Sequence, residues 1–387
     1  MSLMREYIDK HYSAEGYRAE LVRLISEYKK ASKHDFLIYV AAMEKGAFPI
    51  AMDMTDSYII SDLLPKKKSR KPLDVYIETP GGSGEAAEVI ADILRSKYPE
   101  VNFIVSGEAK SAGTILALSG DNIVMTETGS LGPIDAQCSI GRKVVSAYDY
   151  LDWIHEKEKE LHLSPFDITM IAQISPGELM GVQNSLEYAK DLVIGWLPKY
   201  KFKKWTVTEG RKLPVTDDMR KQRAKEIAEE LVDHARWRSH GRSLKIKELN
   251  QIKLHIDKPK KATLDIINRI QVVIRLLFSS SGAYKIFMTG EDKVIKSAAS
   301  VSNPPQSIAQ QLMAPPAQPF ETICPKCGYH HKLYVKFVND KQIDIELQKQ
   351  GFSELARDAK VHCGCGQEID LSGIKNDIEI QTGQKVI

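Results

Sequence analysis

Between residues 73 and 127 short apolar runs alternate with helical patterns so closely that few folds remain open to the chain. "LDVYIET" (73–79), "VNFIVSG" (101–107) and "NIVMTE" (122–127) read as buried strands. Between them, "GEAAEVIADILRSK" puts Ala86, Val89, Ile90, Ile93 and Leu94 on one helical face, and "SAGTILALSG" is small and apolar, as a buried helix must be. Strand, helix and strand repeated at this spacing need crossover connections, so the expected fold class is α/β with a parallel sheet. "DFLIYVAAM" (35–43) and "SYIISDLL" (57–64) are further short apolar segments expected with these strands.

The rest of the chain divides around this core. Residues 1–34 read as an N-terminal helix, with Tyr17, Leu21, Leu24, Ile25 and Tyr28 at helical spacing. The core domain is expected over 35–296, with a charged helical insertion at about 147–235, a short helical element near 244–250 and an apolar helix at 264–278. "SAASVSNPPQSIAQQLMAPPAQPFE" has the Ser, Pro, Ala and Gln content of a linker, assigned to 297–320. A small cysteine-bounded module follows over 321–387. At 387 residues the chain is long enough for two or three domains.

Two loops at strand ends carry chemistry. In "YIETPGGSGEAAEVI", Pro80 fixes a turn and Gly81 and Gly82 let the backbone approach another group closely before a helix starts. Backbone N–H groups at such a turn are preorganised to receive an oxyanion. The next strand ends in "SGEAKSAGT", which puts Ser111 where a helix begins, followed by small residues that leave room for a peptide. The N–H of Ala112 is a second candidate donor. One loop thus offers donors and the other a nucleophile.

"PGGSGEAAEVIADIL", "GEAKSAGTILALSGDNIVM" and "TGSLGPIDAQ" together resemble the ClpP/crotonase superfamily. The closer resemblance is to the SDH (serine dehydrogenase) proteinase family, related to ClpP and to the signal peptide peptidase SppA. It covers residues from about 35 to 256 and is specific between 73 and 137. It implies a ClpP/crotonase-like parallel sheet core, homo-oligomeric assembly, peptide or protein substrates, and hydrolysis without a catalytic cofactor. By the same resemblance Ser111 is the nucleophile, and Gly81, Gly82 and Ala112 form the oxyanion hole. Where ClpP has its histidine this chain has Asp135, and the place of the ClpP aspartate falls near His240. The partners are exchanged, in keeping with the order Ser, Asp, His described for the SDH proteinases. His240 is then the general base and Asp135 the orienting carboxylate, since triads recur in many chain orders.

Three alternatives remain open at this level. A Ser–Lys dyad as in SppA would draw on Lys143, Lys157 or Lys159, while Lys110, adjacent to Ser111, points elsewhere. A crotonase-type enzyme acting on acyl-CoA thioesters would need glutamates such as Glu85 or Glu108 near the carbonyl. The third is a catalytically inert scaffold carrying a zinc reader.

"CPKCGYHHKLYVKF" and "VHCGCGQEIDL" pair Cys324 and Cys327 with Cys363 and Cys365. Two Gly-following cysteine pairs read as a zinc ribbon, with His362 an alternative to Cys363, and four protein ligands would make the zinc structural. "KLYVKF", with Tyr334, Phe337 and two lysines, offers a face for a protein or nucleic-acid ligand.

Composition excludes several classes. Charged residues make up 27% and hydrophobic residues 43%, a globular profile, and a net charge of +3 does not by itself indicate a nucleic-acid binder. "KKKSRK" (66–71) and "PKYKFKKW" (198–205) are local basic runs that read as a solvated loop and a solvated helix face. "MSLMREYIDKHYSAEG" has no apolar core, and "IQVVIRLLF" is too short and too charged to span a bilayer, so a cytoplasmic location is expected.

Overall fold

The computed structural model describes residues 2–140, 143–160, 162–173, 175–208, 210, 212–298, 316–382 and 385–386. The chain separates into two compact units, Met1–Ala299 and Ser300–Ile387. Most of the expected linker lies outside the described residues, and its last part is not linker: Ala317–Phe320 begin a strand paired with Leu333–Lys336.

The first unit begins with α1 (Leu3–Asp9) and α2 (Ala14–Ser32), then β1 (Asp35–Ala41), α3 (Met54–Leu63), β2 (Leu73–Glu78), α4 (Gly84–Lys97) and β3 (Val101–Val105). A short β4 (Glu108–Ala109) precedes α5 (Ala112–Leu118) and β5 (Asn122–Met125), and β6 (Ser130–Leu131) pairs back with β4. The hairpin β7 (Gln137–Ile140) and β8 (Lys143–Ser146) leads into the helical insertion. Its helices are α6 (Ala147–Glu158), α7 (Pro165–Ile171), α8 (Pro176–Lys199), α9 (Asp217–Val232) and the single turn α10 (His234–Trp237). The chain returns through α11 (Ile246–Gln251) and α12 (Lys261–Ser279) to the hairpin β9 (Ala283–Met288) and β10 (Lys293–Ser297).

The main sheet has the order β10-β9-β1-β2-β3-β5. Its four strands from β1 to β5 are parallel, and the β9–β10 hairpin is added antiparallel at the β1 edge. Alternate strand residues serve two cores. Leu37, Tyr39, Val75, Ile77, Phe103 and Val105 pack with α3, α4, α5, α8 and α9. Phe36, Ile38, Val40, Tyr76 and Ile104 pack with α2 and α12 on the other face. Covering both faces is what a parallel sheet requires.

The 57–64 segment, expected among the strands, is instead α3. Asp53 and Asp56 form a capping box that satisfies its first N–H groups, and Ile60 and Leu63 bury one helical face. Fully buried Lys285 of β9 donates to Asp56 at 2.7 Å and to the Ala51 carbonyl at 2.6 Å, fixing the turn before α3. Among the described residues no helix is long and apolar enough to cross a membrane.

The second unit holds a three-stranded sheet, Ala317–Ile323, His330–Lys336 and Ser353–Glu354, and a hairpin of Lys360–His362 with Glu368–Asp370. Leu333, Val335, Leu355, Ala359, Leu371 and Ile378 make its small core. Within "KLYVKF", Tyr334 is buried and bonded to Asp344 and Lys336 is buried between Asp344 and Glu354, while Lys332 is exposed and Phe337 half-buried.

Candidate active site

Ser111 lies at the C-terminal edge of the parallel strands, between β4 and α5, with φ 49° and ψ −120°. A non-glycine residue there costs about 1–3 kcal/mol, which the surroundings must hold in place. They do so through backbone pairing: Thr79 N–H donates to Glu108 at 2.8 Å, Lys110 N–H to Thr79 at 3.0 Å, and Gly113 N–H to Lys110 at 2.7 Å.

The Pro-Gly-Gly loop lies against this turn. Gly81 has φ 98°, and a Cβ there would sit 2.6 Å from the Ser111 Cβ. Gly82 has φ 144°, and its Cβ would sit 2.3 Å from the Met52 carbonyl. Met52 bridges the loop, donating to Gly81 O at 2.6 Å and accepting from Ser83 N–H at 3.0 Å. Gly81 N–H donates to Thr79 Oγ1 at 3.2 Å, whereas Gly82 N–H and Ala112 N–H find no acceptor among the described residues. Gly81→Ala should lower the melting temperature and abolish any activity that depends on Ser111, through positive φ and overlap with Ser111. Normal melting and undiminished activity would show that the loop tolerates a side chain.

Asp135 follows β6 and is buried; its Oδ1 lies 2.8 Å from His240 Nδ1. The segment after His240 is fastened beside it. Leu244 and Leu131 exchange backbone bonds of 2.9 and 3.1 Å, and buried Lys110 donates to Ser243 Oγ at 2.8 Å and to Arg242 O at 3.1 Å. Burial lowers the Lys110 pKa, with Glu108 opposing. With Nδ1–H donating to the carboxylate, a neutral His240 keeps Nε2 as an acceptor.

Ser111, Asp135, His240, Gly81, Gly82 and Ala112 all line one cleft of about 480 Å³. Ser111 Oγ makes no hydrogen bond among the described residues, so the serine–histidine link is open in the free chain. Such links often close only with substrate bound. Sequence reasoning did not find the opposite wall: Ser185, Tyr188 and Ala189 of α8 face the cleft, and Tyr188 is held by Glu88. Ile115 and Ile134 supply apolar lining.

The rival residues are placed elsewhere. Lys157 pairs with Glu160 at 2.8 Å and Asp167 at 3.4 Å, and Lys159 closes α6. Neither lines the cleft. The Lys143 side chain is outside the described residues. Glu85 lines the cleft but accepts from Ser83 Oγ at 2.7 Å, and Glu108 accepts from Ser243.

Behind the Pro-Gly-Gly loop, Glu78 ends β2. Burial pushes its carboxyl up to about 7 despite the Arg275 guanidinium on one oxygen, and the other oxygen is buried without a partner among the described residues. The unfolded chain would ionise this group near 4.5, so between those values it binds fewer protons than the folded chain. The contribution is therefore full below the lower value and is lost as pH rises through the upper one. Melting temperature should fall over that window more steeply in the parent chain than in Glu78→Gln; parallel curves would show that Glu78 is ionised throughout.

In the second unit the Sγ atoms of Cys324, Cys327, Cys363 and Cys365 all lie within 4.8 Å of one another. Cys324 and Cys365 are 3.7 Å apart, and Cys327 and Cys363 3.5 Å. Both pairs sit in turns relaxed by glycine, Gly328 at φ 74° and Gly366 at φ 84°. The four thiols can hold a metal ion; thiolates about 2.3 Å from a tetrahedral zinc would be separated by about 3.8 Å. Exposed His362 is instead 3.8 Å from Glu368.

Residues 18–176 match the model of the ClpP-like SDH-type serine proteinases. An uncharacterized protein of Methanocaldococcus jannaschii is 46% identical over 67 residues, 17% of this chain and 23% of its own length. The proteolytic subunit of the ATP-dependent Clp protease of Streptococcus gordonii is 40% identical over 73 residues, 19% of this chain and 37% of its own. The chain thus spans well under half the length of these curated relatives. Among solved structures, a membrane-bound stomatin-specific protease with a substrate peptide aligns over 68% of this chain and 87% of its own, at 14% identity and a TM-score of 0.33.

Proposed function

Because residues 18–176 carry the sequence of the ClpP-like SDH-type serine proteinases, we propose that the first unit is a serine peptidase with Ser111 as nucleophile, His240 as base and Asp135 as orienting carboxylate. The observation that carries this reading is the Asp135–His240 pair, which lines the same cleft as the strained Ser111 and the unpaired amides beside it.

The steps follow from those groups. Ser111 Oγ attacks the peptide carbonyl carbon while His240 Nε2 takes the hydroxyl proton. The carbonyl oxygen gains the negative charge and accepts from the N–H groups of Gly82 and Ala112, the Gly81 N–H being held by Thr79 Oγ1. Each such donor contributes about 3 kcal/mol to the transition state when it is already aimed at the developing charge. Asp135 holds the ring and stabilises its protonated form. His240 then gives its proton to the leaving amine, and water, activated by the same nitrogen, hydrolyses the acyl-serine.

Peptide or protein substrates and homo-oligomeric assembly accompany this reading, as does a cytoplasmic location. We also assign the four cysteines of the second unit to a structural zinc in a ribbon-like fold. An acyl-CoA enzyme is less well served, because Glu85 and Glu108 are engaged by Ser83 and Ser243.

A fluorophosphonate probe tests the catalytic assignment. Labelling of the parent chain, lost in Ser111→Ala and reduced in His240→Ala, is the expected result. Labelling that survives Ser111→Ala would remove the nucleophile from this site.

A further inference from the structure

Two basic runs far apart in the sequence meet at one cleft, distinct from the one that holds Ser111. The "KKKSRK" loop and "PKYKFKKW" border a space of about 440 Å³ lined by Lys68, Arg95, Lys97, Lys199, Tyr200 and Lys203 among others. The loop is tied down: Ser69 N–H donates to Lys97 O at 2.8 Å, and Lys97 Nζ donates to Lys66 O at 3.0 Å. These bonds fix the loop to the end of α4, and Arg95 of the same helix stacks on Tyr200 of the second run.

The charge there is not balanced. Asp121 is the acidic residue in the lining, and Arg95 engages it together with the Ser119 carbonyl. Lys68, Lys97, Lys199 and Lys203 form no ion pair among the described residues, in contrast to Lys204, which lies 3.4 Å from Glu100. The helix ends at Lys97 and Lys199 supply only about half a negative charge each. A cleft with surplus cations concentrates their field and favours an anionic partner.

The lining also narrows the kind of anion. Single-stranded nucleic acid binds where bases can stack on open aromatic faces. Here Tyr98 is buried, and the Tyr200 ring is covered by the Arg95 guanidinium at 3.7 Å. What remains are flexible ammonium groups, point charges that pair with carboxylates, while the one guanidinium fork in the lining, the group that best fits phosphate, is already engaged by Asp121 and the Ser119 carbonyl. We infer that this cleft docks an acidic peptide segment of a partner protein, separately from the Ser111 cleft and independently of the peptidase reading.

The test measures fluorescence anisotropy of a labelled oligoglutamate peptide with the Ser111→Ala variant of the 387-residue chain, in which cleavage cannot intervene. Binding should weaken as salt rises. Lys199→Glu/Lys203→Glu should lower affinity by about tenfold or more with melting unchanged, since charge reversal leaves like charges facing each other. Lys10→Glu/Lys293→Glu, an equal charge change at residues that do not line the cleft, should alter it by less than about twofold. No binding at low salt, or equal loss in both double variants, would overturn the inference. So would displacement of the peptide by a short oligouridylate at lower concentration than by unlabelled peptide, which would make the site one for nucleic acid. Fluorophosphonate labelling is read separately, so failure here leaves the peptidase assignment standing.

Discussion

Ser111→Ala should lower peptide hydrolysis by roughly 10⁴-fold or more, because removing one member of a nucleophile–base pair costs nearly as much as removing the whole constellation. Asp135→Asn should lose a similar order, since an amide can hold the ring but cannot stabilise its protonated form. The melting temperature should separate them. Ser111 is held at φ 49° by backbone bonds that alanine retains, so that variant should melt close to the parent. Asp135 is buried against His240 and the replacement is less neutral. Combining the two variants should add little to the single loss. Additive losses, or a Ser111→Ala chain retaining a tenth of the parent rate, would place the chemistry on another group.

Removing metal should unfold the second unit and spare the first. Among the described residues six buried side chains form the second unit's core, too few to offset the entropy of ordering it without a crosslink or a metal. The four thiols, all within 4.8 Å of one another, would supply that link by holding one metal ion. All four tryptophans of the chain, Trp153, Trp196, Trp205 and Trp237, belong to the first unit. A chelator should therefore abolish a far-ultraviolet transition while leaving the tryptophan fluorescence melt in place, and Cys324→Ser should do the same without chelator. Elemental analysis should return one zinc per chain. An unchanged melt and metal-free protein would leave the cysteines as ordinary thiols.

The parallel core was legible because each strand is an apolar run followed by a one-faced helix, as in "LDVYIET" and the Ala86–Leu94 pattern. "SYIISDLL" was not legible by period, since a short apolar run fits a strand or one buried helix face equally. The discriminating signal was outside it, in the Asp53–Asp56 capping box. β9 and β10 escaped for another reason. Lys285 interrupts the apolar pattern of "AYKIFM", and Asp53, Asp56 and the Ala51 carbonyl, over two hundred residues earlier, make that lysine acceptable in a core. The family resemblance brought out Ser111, Asp135 and His240 together, because it carries chain order as well as residue type. Tyr188 and Ser185 could not be found that way, since they enter from the inserted helix α8. The role of Lys110 was hidden too, because its partners Arg242 and Ser243 are brought near by tertiary structure alone.

The most direct test of the account is a crystal structure of the chain with a peptide boronate, whose boron takes the place of the attacked carbonyl carbon. The account predicts a bond from Ser111 Oγ to boron, one boronate oxygen within hydrogen-bond distance of the Gly82 and Ala112 amides, and His240 Nε2 within reach of Ser111. Boron bonded elsewhere, or a Ser111 adduct whose oxygens meet no backbone amide, would contradict it.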